Sequence, residues 1–284
     1  MSLQWPNGKK VAVAVTVMYE TWSEGKAPSY SVQATPLKPG ATDLAGAKWS
    51  TYGGRVGVWR IIRSLDRLGI PGTFFTNAAC ADLYPDSIRQ IVASGHDIGG
   101  HAWYQNELLA YKEPKEERET IFRSLDKLEE ISGTRPTGWL SPVLAFTPHT
   151  PDFLREAGCT WHADVTYTDL PHRIETKFGA MAAVPNSDFT DNRVLKSSTV
   201  DLYDVHSTTF DYLHENEPMS LLALTLHCQF GGRPMVIAAF EKLIKYIAQH
   251  DDVWFTSHAE LAKWAMEAET PDHTYRSRYF DSAA

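Results

Sequence analysis

The chain has 284 residues, 43% hydrophobic and 22% charged, with a formal net charge of −8. No Lys/Arg-rich run offsets that acidic balance, so a nucleic-acid partner is not expected, and no apolar run approaches the roughly 18 residues of a membrane span. The opening MSLQWPNGKK lacks an apolar signal core, and Cys80, Cys159 and Cys228 are scattered and odd in number. A reducing cytoplasm is therefore the expected location, with no disulfide framework and no thiolate metal site.

In chain order, KKVAVAVTVMYE is a continuous β-branched apolar run, the pattern of a buried parallel strand. Residues 21–51 have no clear period and carry Pro, Gly, Ser and Thr, which predicts a long loop insertion. GVWRIIRSLDRLG has helical spacing ended by Gly69, and IPGTFF follows as a short strand. PDSIRQIVASG is a helix, HDIGGH a strand end, and EPKEERETIFRSLDKLEEISG a charged amphipathic helix. PTGWLSP then reads as strand and turn, TPHTPDFLREAG as a helix and CTWHADV as a strand. SLLALTLHCQ, VIAAFEKLIKYIAQH, VWFTS and HAELAKWAMEAE close the chain as strand, helix, strand, helix. Such alternation predicts an α/β fold. The expected form is one domain over 1–284, a distorted (β/α) barrel of about seven parallel strands with outer helices.

Barrel chemistry sits at the C-terminal ends of the strands. That rule selects Tyr19 and Glu20 after the first strand, His101 after the third, Trp139 after the fourth, Asp164 after the next, and His227 at the end of LLALTLH. A carboxylate such as Glu20 at the end of a buried strand is costly unless it is paired or serves a site. His101 and His227 suit acid–base work. Asp164 has two readings, orienting a catalytic histidine or capping the next turn. Trp139 is either a core aromatic or a pocket wall, and His96 is expected to pin a turn. Trp22 and Trp49 lie in a polar loop and need burial, which a lid or a subunit contact would supply. A homo-oligomer is expected, dimer or tetramer. FGGRPM is a turn rather than a phosphate loop, with Arg233 able to reach an oligomer contact or a substrate carboxylate.

At these residues the chain resembles the polysaccharide deacetylase family, carbohydrate esterase family four. The resemblance rests on VMYE, GHDIGGHAWYQ, TRPTGWLSP, HADVTYTDLP and LTLHCQ, in the family's order and over nearly the whole chain. It implies that Tyr19 stands where the family has its aspartate base and Glu20 where it has a metal-binding aspartate. His101 stands at the first metal histidine and Gln105 at the second. It also implies Arg135 as a partner for a carboxylate in the site. Tyr19, Gln105, Trp139 and Trp103 are the candidates for contacting substrate, and Glu20 and His101 the remaining metal ligands. Because a neutral amide oxygen is a poor zinc ligand, either no cofactor or one weakly held divalent metal such as Zn is expected. YGGRVGVWR, RPTGWLSP, DLPH and LHCQFGGRP are similar to the allantoinase and cyclic imide hydrolase branch.

The expected activity is therefore hydrolysis of a non-peptide C–N bond in a small cyclic amide or imide. Glu20 or His101 would take the proton of a water, His227 would protonate the leaving nitrogen, and Arg135 or backbone N–H groups would steady the oxyanion. Two alternatives stand beside it: a metal-dependent N-deacetylase of an acetylated sugar, and an inactive ligand-binding relative.

Overall fold

The structure is a computed structural model that describes residues 3–31, 37–38, 40–187, 189–195, 199–272 and 275–279. Its framework is one nine-stranded sheet. The strands are β1 (Val11–Tyr19), β2 (Thr73–Thr76), β3 (Asp97–Gly100), β4 (Gly138–Trp139), β5 (Trp161–His162), β6 (His172–Thr176), β7 (Gly179–Ala183), β8 (Ser220–His227) and β9 (Val253–Thr256). They run in the spatial order β6-β7-β5-β4-β3-β2-β1-β8, with β9 paired to β1. All pairings are parallel except the β6–β7 hairpin. The sheet curls into a half-barrel with helices around it.

β1 organises the sheet. β8 runs along it from Val11 to Met18, β9 pairs with Val11–Ala14, and β2 pairs with Thr16–Tyr19. All nine residues of β1 are buried, as expected for a strand covered on both faces. Period-two alternation divides them. Val11, Val13, Val15, Val17 and Tyr19 join the core beneath the helices, whereas Ala12, Ala14 and Met18 join the core inside the barrel.

The helices in chain order are α1 (Leu44–Ser50), α2 (Val58–Leu68), α3 (Ala79–Leu83), α4 (Pro85–Ala93), α5 (Pro114–Ser132), α6 (Thr150–Glu156), α7 (Asp191–Val194), α8 (Thr199–Asn216), α9 (Cys228–Gly231), α10 (Pro234–Ile247), α11 (His258–Glu267) and α12 (Tyr275–Tyr279). Among the described residues none is long and apolar enough to cross a membrane.

Three features depart from the expected seven-strand alternation. The β6–β7 hairpin adds an antiparallel edge. Helix α8 arises from a stretch dense in Thr, Asp, Ser and His, residues of weak helix propensity whose pattern gives little amphipathic signal. The predicted 21–51 loop contains α1, whose N-terminus is capped by the Asp43 carboxylate accepting from the Gly46 amide at 2.9 Å. Residues 32–36 and 39 of that loop lie outside the described residues.

A one-turn π-helix, Gly53–Gly57, leads into α2 and crosses α9 at close range. A Cβ on Gly57 would lie 1.8 Å from the Cys228 carbonyl oxygen, and one on Gly232 would lie 2.4 Å from Gly57 Cα. Only glycine permits that crossing, which fixes α9 against the end of β1.

Candidate active site

The same alternation that buries β1 sends Glu20, one residue past its end, inward beside Met18 into a cavity of about 310 Å³. His101 follows β3 and His227 ends β8, and both line that cavity. Glu20 Oε1 lies 3.9 Å from His101 Nε2 and 3.9 Å from His227 Nε2. Its other oxygen, Oε2, accepts from the Tyr30 hydroxyl at 2.8 Å and the Gln229 amide at 2.7 Å. One carboxylate oxygen is thus anchored, and the other faces two imidazoles across a gap that a hydrogen-bonded water would bridge.

The two histidines are held differently. His101 Nδ1 donates to the Leu140 carbonyl, so in the neutral ring the lone pair is on Nε2. That Nε2 is buried without a protein hydrogen-bond partner and faces Glu20. His227 Nδ1 instead donates to the Asp191 carboxylate at 2.5 Å, and the His227 backbone N–H donates to the same carboxylate at 2.8 Å. Burial alone would lower the His227 pKa, but the charges of Asp191 and Glu20 override it and push it up to about 9. At neutral pH it is therefore a cation with Nε2–H aimed at Glu20. For Glu20, burial works to raise the pKa. The His227 charge, with His101 and the Tyr30 hydroxyl, more than offsets it and holds the carboxyl below its ordinary value.

Asp191 and Gln229 were not singled out by the sequence. Asp191 lies in an irregular stretch, and the only signal for it is Thr190-Asp191 opening a short helix. Gly231 leaves room for it, since a Cβ there would fall 2.6 Å from Asp191 Oδ2. Asn77 was also missed. It brackets two strand ends, accepting from the Thr21 amide at 2.9 Å and donating to the His101 carbonyl. Ala102, just after His101, has a φ of 54°, a left-handed conformation that non-glycine residues adopt at a cost.

The remaining candidates divide. Gln105 lines the cavity, and its Oε1 is buried without a partner. Asp164 accepts from the Ser141 amide at 2.6 Å and the Ser141 hydroxyl at 2.8 Å, and burial raises its pKa to about 6. It therefore steadies the strand end whose Leu140 carbonyl holds His101, one step removed from both readings given above. Tyr19 does not reach the cavity. Strand alternation turns it to the helical side, where its hydroxyl pairs with Ser87 at 2.7 Å. Trp139 is a core residue for the same reason, with the next residue, Leu140, on the cavity wall. Trp103 lies beneath the Arg123 guanidinium of α5 at 5.1 Å and is not part of the wall. Arg135 is at the outer surface, paired at 2.7 Å with both Asp126 and Glu129 of α5, and does not enter the site.

Of the loop tryptophans Trp49 is buried within the chain and Trp22 half-buried. Tyr30 packs edge-on against Trp22 and Trp49, and Tyr30 also contacts the His227 ring at 5.7 Å. Arg233, expected at a subunit or substrate contact, stacks on Tyr52 at 3.7 Å.

The donor set does not fit a resident zinc ion. Glu20 and His101 offer one carboxylate oxygen and one imidazole nitrogen, and the third position offers the amide of Gln105. His227 also faces Glu20, but its Nε2 carries a proton at neutral pH and offers no lone pair, and among the described residues no group of three His, Cys, Asp or Glu side chains is placed to hold a metal ion.

A buried carboxylate facing two histidines at one end of a half-barrel supplies the groups that hydrolytic acid–base chemistry uses. Residues 52–162 match the polysaccharide deacetylase family model. The chain is 22% identical to the peptidoglycan deacetylase of Helicobacter pylori, over 74% of this chain and 84% of that protein. Among solved structures it is similar to a probable polysaccharide deacetylase from Pseudomonas aeruginosa, with TM-score 0.83 and 29% identity over 93% of this chain and 94% of that one. It is also similar to a PuuE allantoinase, with TM-score 0.80 and 29% identity over 92% and 91% of the two chains. The family match over residues 52–162 and the likeness of nearly the whole chain to these proteins place it among hydrolases that cut carbon–nitrogen bonds other than peptide bonds.

Proposed function

We propose that the protein hydrolyses a small cyclic amide or imide, of the allantoin, hydantoin or succinimide type, without a catalytic metal. The observation that carries this reading is the replacement of a metal-ligand set by a proton-transfer set. Glu20 stands between a histidine with a free lone pair and a histidine held as a cation, with Gln105 where the family has a third ligand. The likeness to an allantoinase along nearly the whole chain supports it, as does a cavity of about 310 Å³, at the small end of ligand sites.

In the reaction, water sits between Glu20 Oε1 and His101 Nε2. Glu20, or His101 through its Nε2 lone pair, takes a proton as the water oxygen attacks the ring carbonyl carbon. The tetrahedral intermediate then collapses, and His227 Nε2–H protonates the departing nitrogen as the C–N bond breaks. Gln105 orients the water or the carbonyl through its side-chain amide. A strained or imide carbonyl is a better electrophile than an acetamide, which suits a site lacking a Lewis acid.

The test is a substrate panel of hydantoin, allantoin, succinimide and dihydropyrimidine rings beside acetylated chito-oligomers, with and without chelator. Turnover of a ring that is indifferent to chelator is expected. Turnover of the oligomers alone, restored by zinc, would favour a metal-dependent N-deacetylase; the H. pylori relative is named a peptidoglycan deacetylase. Gln105→His sharpens the distinction. It is expected to create zinc affinity while lowering ring turnover, whereas improved turnover with zinc would count for the deacetylase.

A further inference from the structure

A groove of about 570 Å³ lies outside the active site, between α2 and α10. Its α2 wall carries Arg60, Arg63 and Arg67 on one helical face, and Arg55 joins them from the π-helical turn. Like charges three and four residues apart on a helix repel one another, so this arrangement costs stability unless counter-charge is supplied. The groove holds one carboxylate, Glu241, already engaged by Arg67 and by the Ser64 hydroxyl at 2.7 Å. Arg60 is bound to the Tyr52 hydroxyl and to the Gly232 carbonyl. Arg55 and Arg63 are exposed and, among the described residues, have no carboxylate within ion-pair distance. All this lies on a chain whose net charge is −8.

The remaining wall carries apolar side chains. Trp59 is 40% exposed, and Pro234 and Ile237 face it from α10. Guanidinium groups bind phosphate oxygens in pairs of hydrogen bonds, which favours a ligand with several adjacent phosphates over a lone carboxylate. An exposed indole beside them is a platform for a planar ring.

We propose that the α2–α10 groove is a binding site for an oligophosphate chain, free or carried on a nucleoside. Arg55 and Arg63 take the phosphates, and Trp59 stacks on the base where one is present. The groove shares no residue with the catalytic cavity, so it is a second site and stands whether or not the ring-hydrolase reading holds.

Isothermal titration calorimetry of the intact protein at low ionic strength tests this with tripolyphosphate and ATP, and orthophosphate as control. Both polyphosphates are expected to bind more tightly than orthophosphate, and binding should weaken with added salt. Arg55→Gln and Arg63→Gln are each expected to weaken binding roughly tenfold, without changing hydrolysis. ATP binding more tightly than tripolyphosphate, with the advantage lost in Trp59→Leu, identifies a nucleotide site. Equal affinities identify a free oligophosphate site. The proposal is overturned if neither polyphosphate binds, or if the Arg55→Gln/Arg63→Gln double variant binds as the wild type does. It is also overturned if Arg63→Glu changes the oligomeric state in light scattering while no anion binds, which would make the groove an interface between copies of this chain.

Discussion

Asp191 and Leu140 hold the two histidines of the candidate site through the same ring atom, Nδ1, with opposite results. A carbonyl fixes the tautomer of the neutral His101 ring, with Nδ1 as the donor, and a carboxylate makes His227 a cation with a pKa of about 9. If His227 is the proton donor, activity should fall as pH rises through about 9. In Asp191→Asn the alkaline limb should move toward the ordinary histidine range, with the rate at pH 8 down roughly tenfold and partly recovered near pH 6. A pH–rate profile checks this, and an unmoved alkaline limb would remove His227 as the acid. Glu20→Gln and His101→Ala should each lower kcat by about 10²-fold or more, with Tm little changed for the isosteric Glu20→Gln. The trio itself was legible in the sequence because Glu20 and His227 end apolar runs and His101 follows the glycine-closed strand end DIGG. Tyr19 and Trp139 were placed wrongly because position at a strand end says nothing of parity. One residue along, Glu20 and Leu140 face the cavity. Arg135 failed differently. Its motif was carried over from the family, while the carboxylates that capture it, Asp126 and Glu129, belong to a helix read only as a solvated face.

At the scale of elements, the crossing of the π-helical turn over α9 governs the anchored oxygen of Glu20. Gln229, which binds that oxygen, sits in α9, and α9 is seated by the backbone approach of Gly57 to Cys228 and Gly232. Gly57→Ala puts a methyl carbon into the Cys228 carbonyl. The turn must shift, at a cost of about 1–3 kcal/mol. We expect a lower Tm and a larger loss in kcat than in substrate affinity, because the carboxylate rather than the cavity wall is disturbed. Calorimetry with steady-state kinetics separates the two, and an unchanged kcat would show that Gln229 does not position Glu20. The glycines of YGGRVG and CQFGG were visible in the sequence, but their meeting was not. The two segments are brought together by the pairing of β1 with β8, a contact that no local pattern encodes.

For the whole molecule, buried histidines set the acid side of stability. Burial lowers His162, His206 and His258 each to about 4, against an ordinary 6.5. Each contributes stability that is complete above pH 6.5 and is lost as pH falls toward 4, because the unfolded chain takes up a proton the folded one refuses. Asp164, raised to about 6, works the other way and offsets one of the three over much of that range. His227, raised to about 9, stabilises fully below 6.5 and loses that contribution as pH rises through 9. Stability should therefore peak near about pH 6.5 and fall on both sides, by up to about 1.4 kcal/mol per pH unit for each uncompensated proton. Scanning calorimetry from pH 4.5 to 9.5 reads this directly, and a Tm still rising from pH 6.5 down to 5 would contradict it. The half-barrel was legible at this scale because strand and helix periods alternate cleanly along most of the chain. The β6–β7 hairpin was not, since its short strands, HRIET and GAMAA, carry too few large apolar residues to mark a strand.

The central position of β1 also has a consequence in time. β1 is made well before β8 and β9, the strands that flank its N-terminal half. At ordinary rates of synthesis, roughly 10–40 s separate the emergence of β1 from that of β8. During that interval a largely apolar strand has an open edge, the condition that invites pairing with another nascent chain. The yield of folded protein should therefore depend on how fast the ribosome delivers residues 220–256. Chains truncated before Ser220 should aggregate rather than persist as a smaller fold.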